Sequence, residues 1–493
     1  MSPVLIGFIV YLVVVLAVGV WAYRRNQNMD DFFLGGRKLG PWVVALSERA
    51  SGESAWLLIG LPGLAYATGF HTVWTALGCG TGILLSWMVV STRLRAYTGA
   101  TGALTLPDFF EARLQDRTRA LRIVATLIII FFFTFYVSAQ ILAAGKVLKA
   151  VFEIPTAWGL VIGVAIVLFY TMMGGFTAVA VTDLIQGLLM VFTLGVLPAA
   201  ALIELGGFEG VGEIIAAADP ALLTVTKGEE GLSFALGLIG ALAVGWGYVG
   251  QPHLLTRFMA IHKTSDLRQG TLIAGVWTAI AFWGAILVGV TAMAKFGAGE
   301  ITDQEDVMPL LATAVMPPWL AGVMISAAIA AMMSTADSQI LVATSALAED
   351  VYRQLLRPGA EQRDLLLVSR LGTVVICGVA FLLALTAEDF VYWLVLFAWA
   401  GLGAAFGPPL VLSLWWRRTT RWGALAGMLS GAVVAVVWRW VPELKGLIYE
   451  LAPAFAVSLL ATVLVSLLTE PGEGALAQFE RVRDSAAGDQ PQR

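Results

Sequence analysis

Ser47-Glu48-Arg49-Ala50-Ser51-Gly52-Glu53-Ser54 sets two glutamates and an arginine inside an otherwise apolar stretch from Trp42 to about Phe70. A helix of about 20 apolar residues crosses a hydrocarbon core, so this stretch is long enough to span. Ionisable side chains at that depth cost about 2.5–3.5 kcal/mol each on insertion scales and face the protein interior. Gly52 and its small hydroxyl neighbours also weaken helix continuity. The interruption is therefore expected at Ser51-Gly52. A break there frees backbone carbonyls, which are tolerated at membrane depth only where they line a cavity or bind something. This pattern implies the broken helix of a transporter; the alternative is a polar cluster that holds a bundle together. Ala331, Ser334 and Thr335 form a second constellation. Their i, i+3, i+4 spacing puts them on one helical face, and two hydroxyls with a carbonyl are hard oxygen donors suited to a small alkali cation. Spacing alone equally suits hydroxyls bonded back to their own helix.

The elements that must position these residues are membrane helices. The chain has 493 residues, of which 59% are hydrophobic and 13% charged, against roughly 45–50% and 25% in soluble domains. Thirteen apolar spans are expected, near 4–23, 41–68, 72–92, 121–147, 156–173, 184–204, 233–256, 271–294, 308–347, 366–386, 390–414, 422–440 and 446–468. Residues 4–22 lack a basic n-region and a small-residue cleavage site, so they read as a retained span. Under strict alternation, Lys and Arg divide 23 to 6 between the two sides. The basic side is cytoplasmic by the positive-inside rule, which puts the N-terminus outside and the C-terminus in the cytoplasm. Arg24, Arg25 and Arg493 contribute to that count. Arg257 and Arg370 fall near cytoplasmic span ends, where snorkelling to the interface is the default. The tail from Glu470 is polar and expected to be disordered.

Spans two to six and seven to eleven form two sets of five, and an odd number of spans inverts the second set relative to the first. The first member of each set is interrupted, the seventh at Gly245-Trp246-Gly247-Tyr248-Val249-Gly250-Gln251-Pro252. Pro252 removes a helical hydrogen bond, and the three glycines loosen the turns before it. Matched interruptions in two halves point to a midplane site, although glycines in membrane helices also serve close packing. Core repeats at about 40–204 and 233–414 in one transporter domain are expected, with peripheral helices 4–23, 422–440 and 446–468 and a polar tail over 470–493.

Trp56-Leu57-Leu58-Ile59-Gly60-Leu61-Pro62-Gly63, Leu104-Thr105-Leu106-Pro107-Asp108-Phe109-Phe110, Gly250-Gln251-Pro252-His253, Met333-Ser334-Thr335 and Ala398-Trp399-Ala400-Gly401-Leu402-Gly403-Ala404-Ala405-Phe406-Gly407-Pro408 resemble the sodium:solute symporter family, in particular its bacterial proline-transporting members. The resemblance runs from the first span to about the thirteenth. It implies an all-α polytopic fold of the leucine-transporter kind, with a 5+5 inverted repeat. It implies sodium-coupled symport of a small amino acid, L-proline first, by alternating access across a prokaryotic plasma membrane.

By the same resemblance, a sodium ion takes the carbonyls of Ala50, Glu53 and Ala331 and the hydroxyls of Ser334 and Thr335. Substrate contacts Ser51, Tyr136, Tyr248, Pro252 and Trp399, with Trp246 a further addition. Asp183, Asp337 and Ser338 are candidates for a second cation, because some relatives bind one between these spans. Asp337 stands where the proline-transporting members have a serine. Gly52 stands where the family has an aspartate in the broken span, and Glu53 follows it directly. A proton-coupled or mixed-ion symporter is the alternative within this class. Gln251 and His253 are expected to satisfy backbone freed by Pro252.

Other classes find no support in the sequence. Cys79 and Cys377 lie in apolar segments, and His71, His253 and His262 are scattered, which gives neither a disulfide framework nor a zinc site. No basic tract suits nucleic acid. No nucleophile–base pair or phosphate loop marks an enzyme. No pore-lining repeat marks a channel, and no soluble signalling domain marks a sensor. The expected partners are the bilayer and a small-molecule substrate, with no obligate protein partner.

Overall fold

The structure is a computed structural model that describes residues 3–23, 34–173, 175–387 and 390–488. Arg24, Arg25 and Arg493 of the charge count lie outside the described residues. Among the described residues no strand forms, only a single isolated bridge between Leu39 and Ile261. Ten helical stretches among the described residues are long and apolar enough to cross a membrane, and the first, Pro41–Thr101, contains expected spans two and three. The first and fifth spans fall on the helices α1 (Pro3–Tyr23) and α8 (Thr156–Met173).

Burial ranks the helices. Of the most apolar window in Pro318–Leu356, 83% is inside the protein, and of that in Val391–Trp415, 89%. The same measure is 33% for Arg421–Trp440 and for Leu451–Leu468, so these two lie at the periphery. The order follows side-chain size. The ninth span contains α15 (Pro318–Ser345), where Ala327, Ala328, Ala330, Ala331 and Ala336 are buried along most of its circumference. Small residues let membrane helices approach closely, where no hydrophobic drive sorts one helix from another. The eleventh span is α17 (Val391–Trp415), lined by Gly401, Gly403, Ala404 and Gly407.

The two interrupted spans cross this centre. The second is α2 (Pro41–Ala55), then a wide π-type turn over Trp56–Gly60, then α3 (Leu61–Thr68). The non-helical residue is Ser54, at φ 30° and ψ −165°. The break is thus displaced from the expected Ser51-Gly52, because Gly52 keeps helical geometry and Ser54 takes the strain. The seventh span is α11 (Gly231–Ala243), a 3₁₀ segment over Val244–Gly250, an extended Gln251, and α12 (Pro252–Ala260). Pro252 opens α12 at its first turn, where a missing N–H costs nothing. The glycines of the 3₁₀ segment serve close approach rather than unusual backbone angles. A Cβ on Gly245 would strike the Gly78 carbonyl of α4 (Val73–Leu85), and one on Gly250 would meet Gly403 and Gly407.

One segment departs from expectation. The tail folds into a helix over Glu473–Gly488, with Ala475, Phe479 and Val482 buried. Their four- and three-residue spacing makes an apolar stripe, which polar composition averaged over the tail conceals. Gly207–Ala218, between spans six and seven, is also helical.

Lys146 of the fourth span bridges Asp303 at 3.0 Å and Glu305 at 2.6 Å, both on the loop between the eighth and ninth spans. Glu305 accepts from the backbone N–H groups of Val391 and Tyr392 at 3.1 and 3.0 Å, a carboxylate at a helix N-terminus. Beside it, burial and then the neighbouring Asp303 push the Asp306 carboxyl up from 3.8 to about 6. The folded state therefore holds a proton that the unfolded chain releases, and stability falls as pH rises through that window. Asp306→Asn is expected to melt above wild type at pH 7, and the gap is expected to close as pH falls toward 4. A pH-independent gap in thermal midpoint would refute this.

Candidate functional site

The Ser54 break leaves backbone groups of α2 without helical partners, and neighbouring spans supply them. The Ala55 N–H donates to Oε1 of Gln140, on α7 (Ala120–Phe152), at 3.3 Å. The carbonyls go to α15. Ser334 Oγ donates to the Ala50 carbonyl at 2.9 Å and lies 3.0 Å from its own-helix carbonyl at Ala331. Thr335 Oγ1 donates to the Ser51 carbonyl at 2.9 Å. The Glu53 carbonyl instead accepts the N–H of Trp56. Of the five expected sodium ligands, Ala50, Ala331 and Ser334 thus converge on one point. Thr335 is one residue's step away on Ser51, and the Glu53 carbonyl is engaged within its own turn. The two spans are joined by hydroxyl-to-carbonyl bonds, not only by hydroxyls bonding back to their own helix.

A buried ionic cluster lies beside this junction. Asp183 belongs to α9 (Phe176–Glu204), and its Oδ2 accepts from Ser47 Oγ at 2.6 Å, Ser51 Oγ at 3.0 Å and Arg257 Nη2 at 3.1 Å. Arg257 Nη2 also donates to Ser338 Oγ at 2.5 Å and Ser51 Oγ at 2.9 Å, while Nη1 reaches the His253 carbonyl at 2.7 Å. Asp337 Oδ1 accepts from Ser338 at 3.4 Å. Asp183 Oδ1 and Asp337 Oδ2 are buried without a hydrogen bond. Arg257 is wholly buried, which corrects its expected snorkelling. Helix α12 continues to Ala260 and is covered by other helices, so a position near the span's end is still inside the protein. Arg370 is exposed, as snorkelling requires.

The glutamates of α2 form a second cluster. Arg49 donates from Nε to Glu48 at 2.5 Å and from Nη1 to Glu53 at 2.7 Å. Trp87 Nε1 donates to Glu48 at 3.0 Å. The Tyr248 hydroxyl donates to both Glu53 oxygens, at 3.0 and 3.1 Å. Each cluster thus opposes two carboxylates to one guanidinium. In the second cluster Glu48 and Glu53 both pair with Arg49, as burial favours, whereas in the first Arg257 pairs with Asp183 and Asp337 has only its contact with Ser338. At Gly52 a Cβ would meet Leu254 at 3.2 Å and the Arg49 guanidinium at 3.7 Å. The space a side chain at Gly52 would need is already filled.

Tyr248 stands edge-on to Trp399 with ring centroids 4.6 Å apart. Trp399 is fixed by its indole N–H on the Val244 carbonyl at 2.8 Å. Gln251 donates to the Gly247 and Trp399 carbonyls at 3.3 and 3.0 Å, satisfying backbone freed at the second break. Tyr136 is buried with its ring 6.1 Å from that of His253, and Pro252 is buried at the start of α12. Ser51 belongs to the Asp183 cluster. Trp246 points away from the other candidates, 39% exposed and packed on Phe455. Ser47, Ser54, Trp87 and Gln140 were not singled out from sequence as site residues. Ser47 and Ser54 lie inside the polar stretch itself, so that signal was available. Trp87 and Gln140 carry no local mark.

Residues 32–431 match the model of the sodium:solute symporter family. The chain is 39% identical over 472 residues to the osmoregulated proline transporter OpuE of Bacillus subtilis (strain 168), covering 95% of each chain. It is 39% identical over 482 residues to the sodium/proline symporter of Escherichia coli (strain K12), covering 96% of this chain and 95% of that one. Among solved structures, a Na+-coupled sialic acid symporter in a substrate-bound outward-open state superposes with a TM-score of 0.80 at 20% identity, over 96% of this chain and 99% of that chain. That likeness shows the fold.

Proposed function

The chain belongs to the sodium:solute symporter family, a family of membrane transporters and not of enzymes, and on that premise we propose that it carries L-proline into the cell with sodium by alternating access. The observation that carries the reading is the Ser334 hydroxyl, set between the Ala50 carbonyl of one span and the Ala331 carbonyl of another. Oxygens from two elements that move relative to one another are what an ion needs to tie its own binding to a conformational change. Sodium takes these two carbonyls and the Ser334 and Thr335 hydroxyls, with the Glu53 carbonyl joining once the turn at Trp56 opens. Proline lies against Tyr248, Trp399, Tyr136 and Pro252, an apolar wall beside exposed helix ends that suits a ring carrying two charges.

Asp183, Asp337 and Ser338 form a second cation site whose resident charge is the Arg257 guanidinium. A free cation there shares or displaces that guanidinium. The two carboxylate oxygens without hydrogen bonds and the excess of one negative charge support this role. A proton on Asp337 is the competing way to balance that charge. The Lys and Arg distribution supports an outside N-terminus and a cytoplasmic C-terminus.

Uptake of labelled proline into proteoliposomes, with and without a sodium gradient, tests the reading. Sodium should stimulate uptake, and competition by alanine or a sugar but not by proline would reject it. Ser334→Ala and Thr335→Val should each raise the sodium concentration for half-maximal transport by about tenfold or more, the loss of one charge-assisted contact. Asp337→Asn should lower the sodium Hill coefficient if a second cation binds, and should abolish the pH dependence instead if a proton does. Unchanged sodium dependence in both hydroxyl variants would leave those residues with structural roles alone.

A further inference from the structure

At the first break one side-chain amide is used at one end and idle at the other. Gln140 on α7 is 1% exposed, and its Oε1 accepts the Ala55 N–H at 3.3 Å. That bond fixes the orientation of the amide, since a backbone N–H can be met only by the oxygen. Gln140 Nε2 lies on the other side of the same planar group, buried with no hydrogen-bond partner. Donors left in that state are costly unless an acceptor arrives.

Tyr136 lies one helical turn before Gln140, on the same face of α7. Its hydroxyl is also buried without a hydrogen bond; Ser54 is a polar neighbour, outside hydrogen-bonding geometry. The Tyr136 ring is 6.1 Å from that of His253 on α12. This face of α7 therefore looks from the first broken span toward the second, and both of its donor groups are unmet there.

The missing partner is an acceptor, which excludes an ammonium or a metal cation. A carboxylate fits best, because it accepts at both oxygens and each such bond is charge-assisted. The amide is prepared for it. Accepting at Oε1 polarises the group and strengthens donation from Nε2. Helical geometry also resumes at Ala55 after the Ser54 break, and the start of a helix carries partial positive charge that favours an anion.

We propose that Gln140, together with Tyr136, holds the carboxylate of the transported solute, and so selects amino acids over amines of the same shape. This role deepens the proline-symport reading and rests on it.

The test is calorimetric titration of the full-length protein in nanodiscs, in sodium, with proline and with 2-methylpyrrolidine. The second compound keeps the ring and the cationic amine and lacks the carboxylate. Wild type should prefer proline by about tenfold or more. Gln140→Met should weaken proline by about tenfold or more, the loss of a charge-assisted hydrogen bond, and leave 2-methylpyrrolidine nearly unchanged, so the preference collapses. Tyr136→Phe should act in the same direction. It deletes an oxygen that carries no hydrogen bond, so it is expected to fold even if Gln140→Met does not. A Gln140 that only caps the break, or whose donors meet a bound water, changes both affinities together or neither. A preference unchanged in Gln140→Met, or in Tyr136→Phe where the first variant does not fold, overturns the carboxylate contact alone. No proline binding to wild type overturns the symport reading, and this contact with it.

Discussion

Replacing Arg257 with alanine is expected to abolish transport and to destabilise the protein by about 3–5 kcal/mol, the usual cost of leaving a buried charge without its partner. Arg257 is wholly buried and joins Asp183 at 3.1 Å, Ser338 at 2.5 Å and Ser51 at 2.9 Å. It therefore ties α12, the second half of one broken span, to α2, α9 and α15. Without the guanidinium, two carboxylates remain in one buried cluster with no fixed cation. Arg257→Ala combined with Asp183→Asn should recover part of the stability, because one of the two carboxylates left without a cation is then neutral, and should not recover transport. Sodium should raise the thermal midpoint of Arg257→Ala more than that of wild type, since a free ion stabilises whatever state binds it. Thermal unfolding in sodium and in choline chloride measures both effects. An Arg257→Ala protein that melts and transports like wild type would remove the cluster from the mechanism.

Gly245→Ala is the second large effect. The 3₁₀ segment over Val244–Gly250 lies backbone against backbone on α4. A Cβ at Gly245 would collide with the Gly78 carbonyl and come within 3.3 Å of the Cys79 nitrogen. No flexible side chain is present to yield, so the segment itself must shift. Overpacking of this kind costs about 1–3 kcal/mol. The shift also moves Tyr248, three residues on, away from Glu53 and Trp399, so proline affinity should fall together with stability. Gly212→Ala is the control. Nothing lies within 4 Å of a Cβ there, and in a helix alanine is favoured over glycine by about 0.5–1 kcal/mol. Equal thermal midpoints and proline affinities for the two variants would show that the close approach at Gly245 has no consequence.

Much of the membrane architecture was legible from the chain alone. Apolar length identifies spans, because a backbone crossing hydrocarbon must satisfy its own hydrogen bonds. Ionisable residues inside the second span marked the interior, because lipid does not accept them. Pro252 marked the second break, since it removes a specific N–H. The one-face spacing of Ala331, Ser334 and Thr335 was local as well, set by the helical repeat. The tertiary structure decided what these features meet. It moved the first break to Ser54, because the hydroxyls of Ser334 and Thr335 hold the Ala50 and Ser51 carbonyls in a helix that Gly52 alone would have loosened. It made Gly245 and Gly250 into points of contact, since only packing tells a small residue chosen for closeness from one chosen for freedom. It turned Arg257 from a residue at a span's end into the cation between two aspartates, and Trp246 outward from its neighbours. Ion pairs join residues up to 74 positions apart in that cluster. Side-chain partners across such separations follow from how helices stack, which local periodicity does not encode.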